Sequence, residues 1–367
     1  DDVESRGLGD VYKRQEQSHS PKNITKDEYF GSFRQMYAEL DDPDALQGVL
    51  KTFSTESLND KLLQFQHNED WEVTHESLSA LAEYNIEDAV KNESEKLDST
   101  TSLLKSLVDH CEYKNALSEL RIVPVDIAYP REWVLVGLEA SIFSGQLDDL
   151  KKWVSVAEEY PSILSAGSEL SIFYEFAQAL ITLKDNNIKS TLFHIDNSVY
   201  HLGTCLAISK EISSIKSSSY MVLLHCLYDF KALVTVDPNA DSLPALKIKN
   251  SLSNVLTINH LRFKNTAKDY RINWKIHSIK EVVERFHPDA HINENLKNSL
   301  VESCSILREA GKLEMATSCI TRALLMGTLS ADFELAKLLW AQGDQSRALK
   351  TLKDIIVKDS QNAEMQL

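Results

Sequence analysis

Two stretches late in the chain, LREAGKLEMATSCITRAL and LLWAQGDQSRALKTLKDI, share one spacing. In each, an apolar helical stripe stops at a glycine, Gly311 or Gly343, and an alanine follows five positions later, Ala316 or Ala348. The two glycines are 32 residues apart, close to the roughly 34-residue period of tetratricopeptide-type helical pairs. The spacing has a physical reason. A short turn between antiparallel helices needs a residue that tolerates positive φ, and a close helix crossing needs a small side chain. The stripes are helical: Leu313, Ala316, Ile320, Ala323 and Leu324 fall on one face, as do Ala348, Leu349, Leu352, Ile355 and Ile356.

Looser copies of the same spacing lie upstream: Glu69 with Thr74, Cys111 with Ala116, Gly145 with Leu150, and Asn186 with Thr191. No strand-like alternation is sustained over six residues, and no Asn-Gly or Asp-Gly hairpin turn occurs. With 11 Gly and 8 Pro in 367 residues, helix breakers are few. These observations predict an all-α fold, a TPR/HEAT-like α-solenoid of irregular antiparallel helical pairs. Its core would lie between neighbouring pairs, giving a quasi-one-dimensional array. A globular helical bundle is the alternative. The stretch 195–300 lacks a clear turn marker and reads as longer, atypical helices, with a loop at Val236 to Leu243.

The formal charge of −16 argues against a dedicated nucleic-acid surface, which needs a basic stripe. Five scattered cysteines, Cys111, Cys205, Cys226, Cys304 and Cys319, without a C-x-x-C, read as reduced, buried thiols. No apolar run is long enough to span a membrane. Asp10 to Gln15 reads DVYKRQ, the in-frame translation of a transposase mosaic-end adapter. Residues 1–15 are therefore set apart as a sequencing artefact, and the chain reads as a fragment of something longer. Residues 16–26 read as a disordered lead-in, 27–357 as the helical-repeat region, and 358–367 as a truncated end.

The run from Tyr37 to Leu81 resembles the opening of the FAT region of phosphatidylinositol-3-kinase-related protein kinases. The resemblance rests on an acidic turn, Asp42-Pro43-Asp44-Ala45-Leu46-Gln47-Gly48-Val49, followed by a helix carrying Trp71. Phe333 to Leu352 is similar to that family's A-K-x-x-W-x-x-G-D-x-x-x-A-L unit, through Ala336, Lys337, Trp340, Gly343, Asp344, Ala348 and Leu349. The order of units is most like the ATR-type DNA-damage checkpoint kinases in their fungal form. The resemblance implies a large nuclear Ser/Thr kinase whose FAT region curls round its own kinase domain and helps a second protomer to bind. An ATRIP-type regulatory subunit would be the further partner, with no direct nucleic-acid contact and no membrane. The other readings are a free-standing TPR-like adaptor, or the FAT region of a TOR-type kinase or a transcription-coactivator pseudokinase.

A kinase needs a phosphate-cradling loop, a catalytic Asp and a metal-binding Asp. Outside residues 1–15 there is no G-x-G, and there is no H-R-D, D-F-G or G-D-R-H. The expectation is therefore no catalytic, cofactor-binding or metal-binding residue in this chain. By the resemblance, ATP and magnesium belong to a kinase domain beyond Leu367. His287 and His291 are four apart, but Pro288 intervenes and no third ligand is spaced nearby. His225 and Cys226 are adjacent, so on a helix they diverge by about 100° and cannot form a nucleophile pair. Trp71, Trp133, Trp153, Trp274 and Trp340 lack interleaved basic residues and read as core rather than as stacking platforms. The basic run Leu246 to Lys280 reads as a solvated helical face, with an acidic partner, a phosphorylated ligand or nucleic acid as the sharper alternatives. Ser360-Gln361 matches the substrate dipeptide of the resembled kinases, and Asn23-Ile24-Thr25 is a sequon without a secretory route.

Overall fold

The computed structural model describes scattered positions between 32 and 80, and then 93–122, 129–160, 167–209, 214–235, 270–287, 296–327 and 329–365. Two compact units divide the chain, Asp1–Leu78 and Ser79–Leu367. In the first, the described residues are helical, and Phe33 stacks on Tyr37 one turn later at 6.4 Å between ring centroids. Trp71, Glu69 and Thr74, residues 1–26, the loop 236–243, the basic run up to Asp269, and His291 lie outside the described residues. So does the acidic turn, except for Ala45, Gly48 and Val49.

The second unit is built of α-helices, and no strand occurs among the described residues. In chain order they are α1 (Glu93–Asp109), α2 (Tyr113–Ile122), α3 (Arg131–Ser144), α4 (Leu147–Glu158), α5 (Glu169–Lys184) and α6 (Ile188–Ser209). There follow α7 (Ser214–Val234), α8 (Tyr270–Phe286), α9 (Leu296–Glu309), α10 (Leu313–Leu325), α11 (Leu329–Ala341) and α12 (Gln345–Met365). Successive helices pack as pairs, and the first helices of successive pairs also touch: α1 with α3, α3 with α5, α9 with α11. This is the all-α solenoid pattern that the spacing predicts. The expected long helices are α6 and α7, of 22 and 21 residues.

The turn markers explain how the pairs close. Cys111, Gly145, Asn186, Gly311 and Gly343 all have positive φ, between 58° and 85°. At four of them two backbone bonds tie off the finished helix. Glu112 N–H reaches Leu107 O, Asn187 reaches Thr182, Lys312 reaches Leu307 and Asp344 reaches Leu339, each with a second bond from the marker itself. That is the Schellman arrangement, which satisfies the last carbonyls of a helix. The next residue then starts the following helix, and its carbonyl accepts the N–H four positions on: Ala116, Thr191, Ala316 or Ala348. The residue five after the marker thus sits in the first turn, against the preceding helix. Ala116, Leu150, Thr191, Ala316 and Ala348 are all essentially inaccessible to solvent. Gly167 shares both the positive φ and a buried residue five positions on, Ile172, whereas Gly327 shares the φ alone.

Two expectations need correction. The array is not quasi-one-dimensional. Helix α8 packs on α7 and α9, its neighbours, but also on α3 and α5, more than a hundred residues upstream. Trp340 is not core. Trp133, Trp153 and Trp274 are buried, whereas Trp340 is 54% exposed. The packed face of α11 carries Ala331, Glu334, Ala336, Leu338 and Leu339, and Trp340, one turn past Ala336 in the last turn of the helix, stands at the edge of that face.

Candidate functional site

No group of three His, Cys, Asp or Glu side chains that could hold a metal ion occurs among the described residues. His287 is buried at the end of α8, where its N–H bonds to Val283 O. The His225 ring lies 3.3 Å from Asp229, one turn along α7, rather than on Cys226. The five thiols are buried, and burial raises all of them, Cys111 to about 11 and Cys304 and Cys319 to about 12. Thiols held protonated in this way are poor nucleophiles.

The chemically unusual place is α8 itself. YRINWKIHSIKEVVERF carries six charged side chains, yet no residue from Tyr270 to His287 is exposed. A buried charge needs a partner, because desolvation is otherwise prohibitive. The partners come from both directions along the chain. Toward α3, Lys275 Nζ lies 2.9 Å from Glu139 Oε1 and 5.7 Å from the centroid of the Phe143 ring. Burial works against the Lys275 charge, but Glu139 and Cys111 outweigh it and hold its pKa above the ordinary lysine value. Arg285 donates to Ser144 O at 3.3 Å and to Gly145 O at 3.0 Å, so it caps the last turn of α3 from 140 residues away. Burial lowers its pKa, with Glu281 opposing. Gly145 is required twice over. Its φ is +61°, and a Cβ there would collide with Arg285 Nη2 and Val282.

Toward the C-terminal pairs, Glu281 meets Arg322 of α10 at 2.6 Å, and Ser299 of α9 donates to Glu284 Oε2 at 2.8 Å. Lys280 and His277 both face Glu302 of α9, at 3.5 and 3.8 Å. At its N-terminal end, Cys111 Sγ points at Arg271 O, and Lys312 lies over the Tyr270 ring. The basic run was expected to be a solvated face. Over 270–280 that is overturned: no residue there is exposed, and Lys275 and Lys280 are spent on intramolecular carboxylates. The sequence hid this because the partners lie far away along the chain. Charge alone cannot distinguish a solvated lysine from one paired with a residue 136 positions upstream.

Similar ion pairs tie other helices. Arg121 of α2 meets buried Asp149 of α4, and Arg308 of α9 meets buried Glu334 of α11, with Lys337 on its other oxygen. At the entry to α5, Ser168 caps the helix by accepting from Ser171 N. Gly167 is pinned to α6 by its N–H to His201 Nδ1 and by Cys205 Sγ on its carbonyl.

Paired helices and markers that reverse the chain define an all-α solenoid. The family model of the FAT domain matches residues 145–367, and that of the M-HEAT region of the serine/threonine-protein kinase ATR matches residues 8–65. The chain belongs to the FAT-domain family, in its fungal, ATR-type form. It is 32% identical to the serine/threonine-protein kinase MEC1 of Candida albicans over 333 residues, 89% of this chain and 13% of the relative. Over 87% of its length it is 22% identical to the protein kinase rad3 of Schizosaccharomyces pombe, and over 88% it is 21% identical to the ATR kinase of Arabidopsis thaliana. The chain spans only 12–13% of the length of these relatives.

Proposed function

We propose that this chain is the non-catalytic clamp of an ATR-type Ser/Thr protein kinase acting in DNA-damage and replication checkpoint signalling in the nucleus. The observation that carries the reading is the FAT match across α4 to α12, on a solenoid whose helices are tied by ion pairs such as Lys275–Glu139, Arg322–Glu281 and Arg308–Glu334. In this reading the array supports the kinase domain and its dimerisation and receives an ATRIP-type subunit. ATP and magnesium are used by the kinase domain and not by this chain. The clamp acts by coupling sites: partner binding biases which arrangement of stacked pairs the kinase domain meets.

The test is a chimera. The matching segment of the Candida albicans kinase is replaced by this chain, and survival in hydroxyurea, kinase abundance, dimerisation and substrate phosphorylation are measured together. The reading expects a stable chimera that phosphorylates its substrates and survives. A chimera of normal abundance that neither dimerises nor phosphorylates would sink it. A gene whose frame stops soon after codon 367 would favour the free-standing adaptor instead.

A further inference from the structure

We propose that α8 is a cross-brace that makes the α3–α4 turn and the α9–α10 pair one cooperative body, so that displacement of one is felt at the other without passing through the intervening pairs. The inference stands on the contacts of α8 and does not depend on the kinase reading.

Three observations carry it. First, α8 presents two charged faces to two distant parts of the chain. Lys275, Val282 and Arg285 address α3 and its turn, while His277, Lys280, Glu281 and Glu284 address α9 and α10. At 3.6 residues per turn these faces are roughly 130° apart. The helix is therefore wedged between the two parts and is not laid on either. Second, its grip on α3 falls at the turn that closes a pair. Arg285 supplies hydrogen bonds to the last carbonyls of α3, and Gly145 gives Val282 and Arg285 the room to do so. Third, a nearest-neighbour array stores its stability in successive interfaces and can open locally. Here the α3–α8 contact closes a loop of about 140 residues, so opening at either end must break the same helix.

Charge pairs make this brace testable, because breaking one side and removing both sides have different consequences. Removing one partner strands a buried charge, whereas replacing both with apolar residues is mild. The experiment is native-state hydrogen exchange, read by mass spectrometry on the full 367-residue chain. Lys275→Met should speed exchange in α3 and in α9–α10 together, by at least about tenfold in each. Lys275→Met with Glu139→Leu should return both to near the wild-type rate. Ser299→Ala is a gentler probe from the opposite side, in case Lys275→Met does not fold, and it should also speed exchange at the α3–α4 turn. Arg347→Met, whose ion pair is with Asp344 at the start of its own helix, is the control and should leave α3 and α9–α10 unchanged. Faster exchange confined to α3 and α8 in Lys275→Met, or to α9 in Ser299→Ala, would overturn the brace.

Discussion

Gly137 lies inside α3, a position where glycine is ordinarily a liability. Substituting alanine in a helix interior gains about 1 kcal/mol from backbone entropy and helix propensity. Here the sign should reverse. A Cβ on Gly137 would overlap the indole of Trp153 at Cδ2 and Cε2 and lie 2.7 Å from Cε3. Trp153 cannot step aside: it is fully buried in α4, with the Tyr129 ring edge-on at 5.2 Å between centroids. Overpacking a rigid site costs about 1–3 kcal/mol. Three atoms of one immobile ring place this site at about 3, and subtracting the helix gain leaves a net loss of about 2 kcal/mol. Gly137→Ala should therefore lower Tm by roughly 4 °C, followed by circular dichroism at 222 nm. In a Trp153→Leu background the same substitution should be neutral or stabilising, which isolates the contact as a coupling energy. If Gly137→Ala raises Tm in the wild-type background, α3 and α4 do not approach as closely as described.

The two turn glycines should separate strain from collision. Gly343→Val meets nothing within 4 Å but holds φ at +85°, so it should cost about 1–2 kcal/mol and loosen α11–α12 only, whereas Gly145→Val also strikes Val282 and Arg285 and should cost more; equal losses by urea denaturation would refute the distinction. A chromogenic disulfide reagent at pH 8 should find the five thiols slow in the native chain and all five prompt in denaturant, because burial keeps them protonated; a rapidly reacting native thiol contradicts that. His110 is buried with its Nδ1 on Ser106 O, and burial lowers its pKa, with nearby Lys312 and Arg271 acting in the same direction and the Ser106 carbonyl and Glu112 against it. The unfolded chain then takes up the proton first, so this stability is whole above about pH 6.5 and is lost as pH falls through the lowered native pKa. His110→Leu should flatten that part of the urea-midpoint profile between pH 7 and pH 5, and an identical slope in both proteins would refute the assignment.

How much of this was legible in the sequence depends on range. The turn at Cys111 could be read without a glycine because its partner, Ala116, lies five positions away within the same local motif. Asn186 with Thr191 was legible for the same reason. Gly167, with buried Ile172 five positions on, was missed, and its fixing residues, His201 and Cys205, sit a helix away. Helix α8 was misread for a stronger form of that reason. Its composition is that of a surface helix, and its partners distant in the chain, Glu139, Ser144 and Gly145 on one side and Ser299, Glu302 and Arg322 on the other, show that it is not. Trp340 failed in the opposite direction, since an aromatic at helical spacing was assigned to the core when it stands more than half exposed at the edge of the packed face, in the last turn of α11.

The position of α8 in the chain also sets a timetable. Arg285 follows the carbonyls it caps by 141 and 140 residues. At a synthesis rate of about 5–20 residues per second, the end of α3 emerges about 7–28 s before its cap exists. Throughout that interval the first pairs are complete in sequence and incomplete in structure, with Glu139 lacking its lysine and the seat of Val282 empty. A nascent chain of this design must be sheltered for longer than its helices take to form, and a slow stretch of codons after α8 would do more for its yield than one before it.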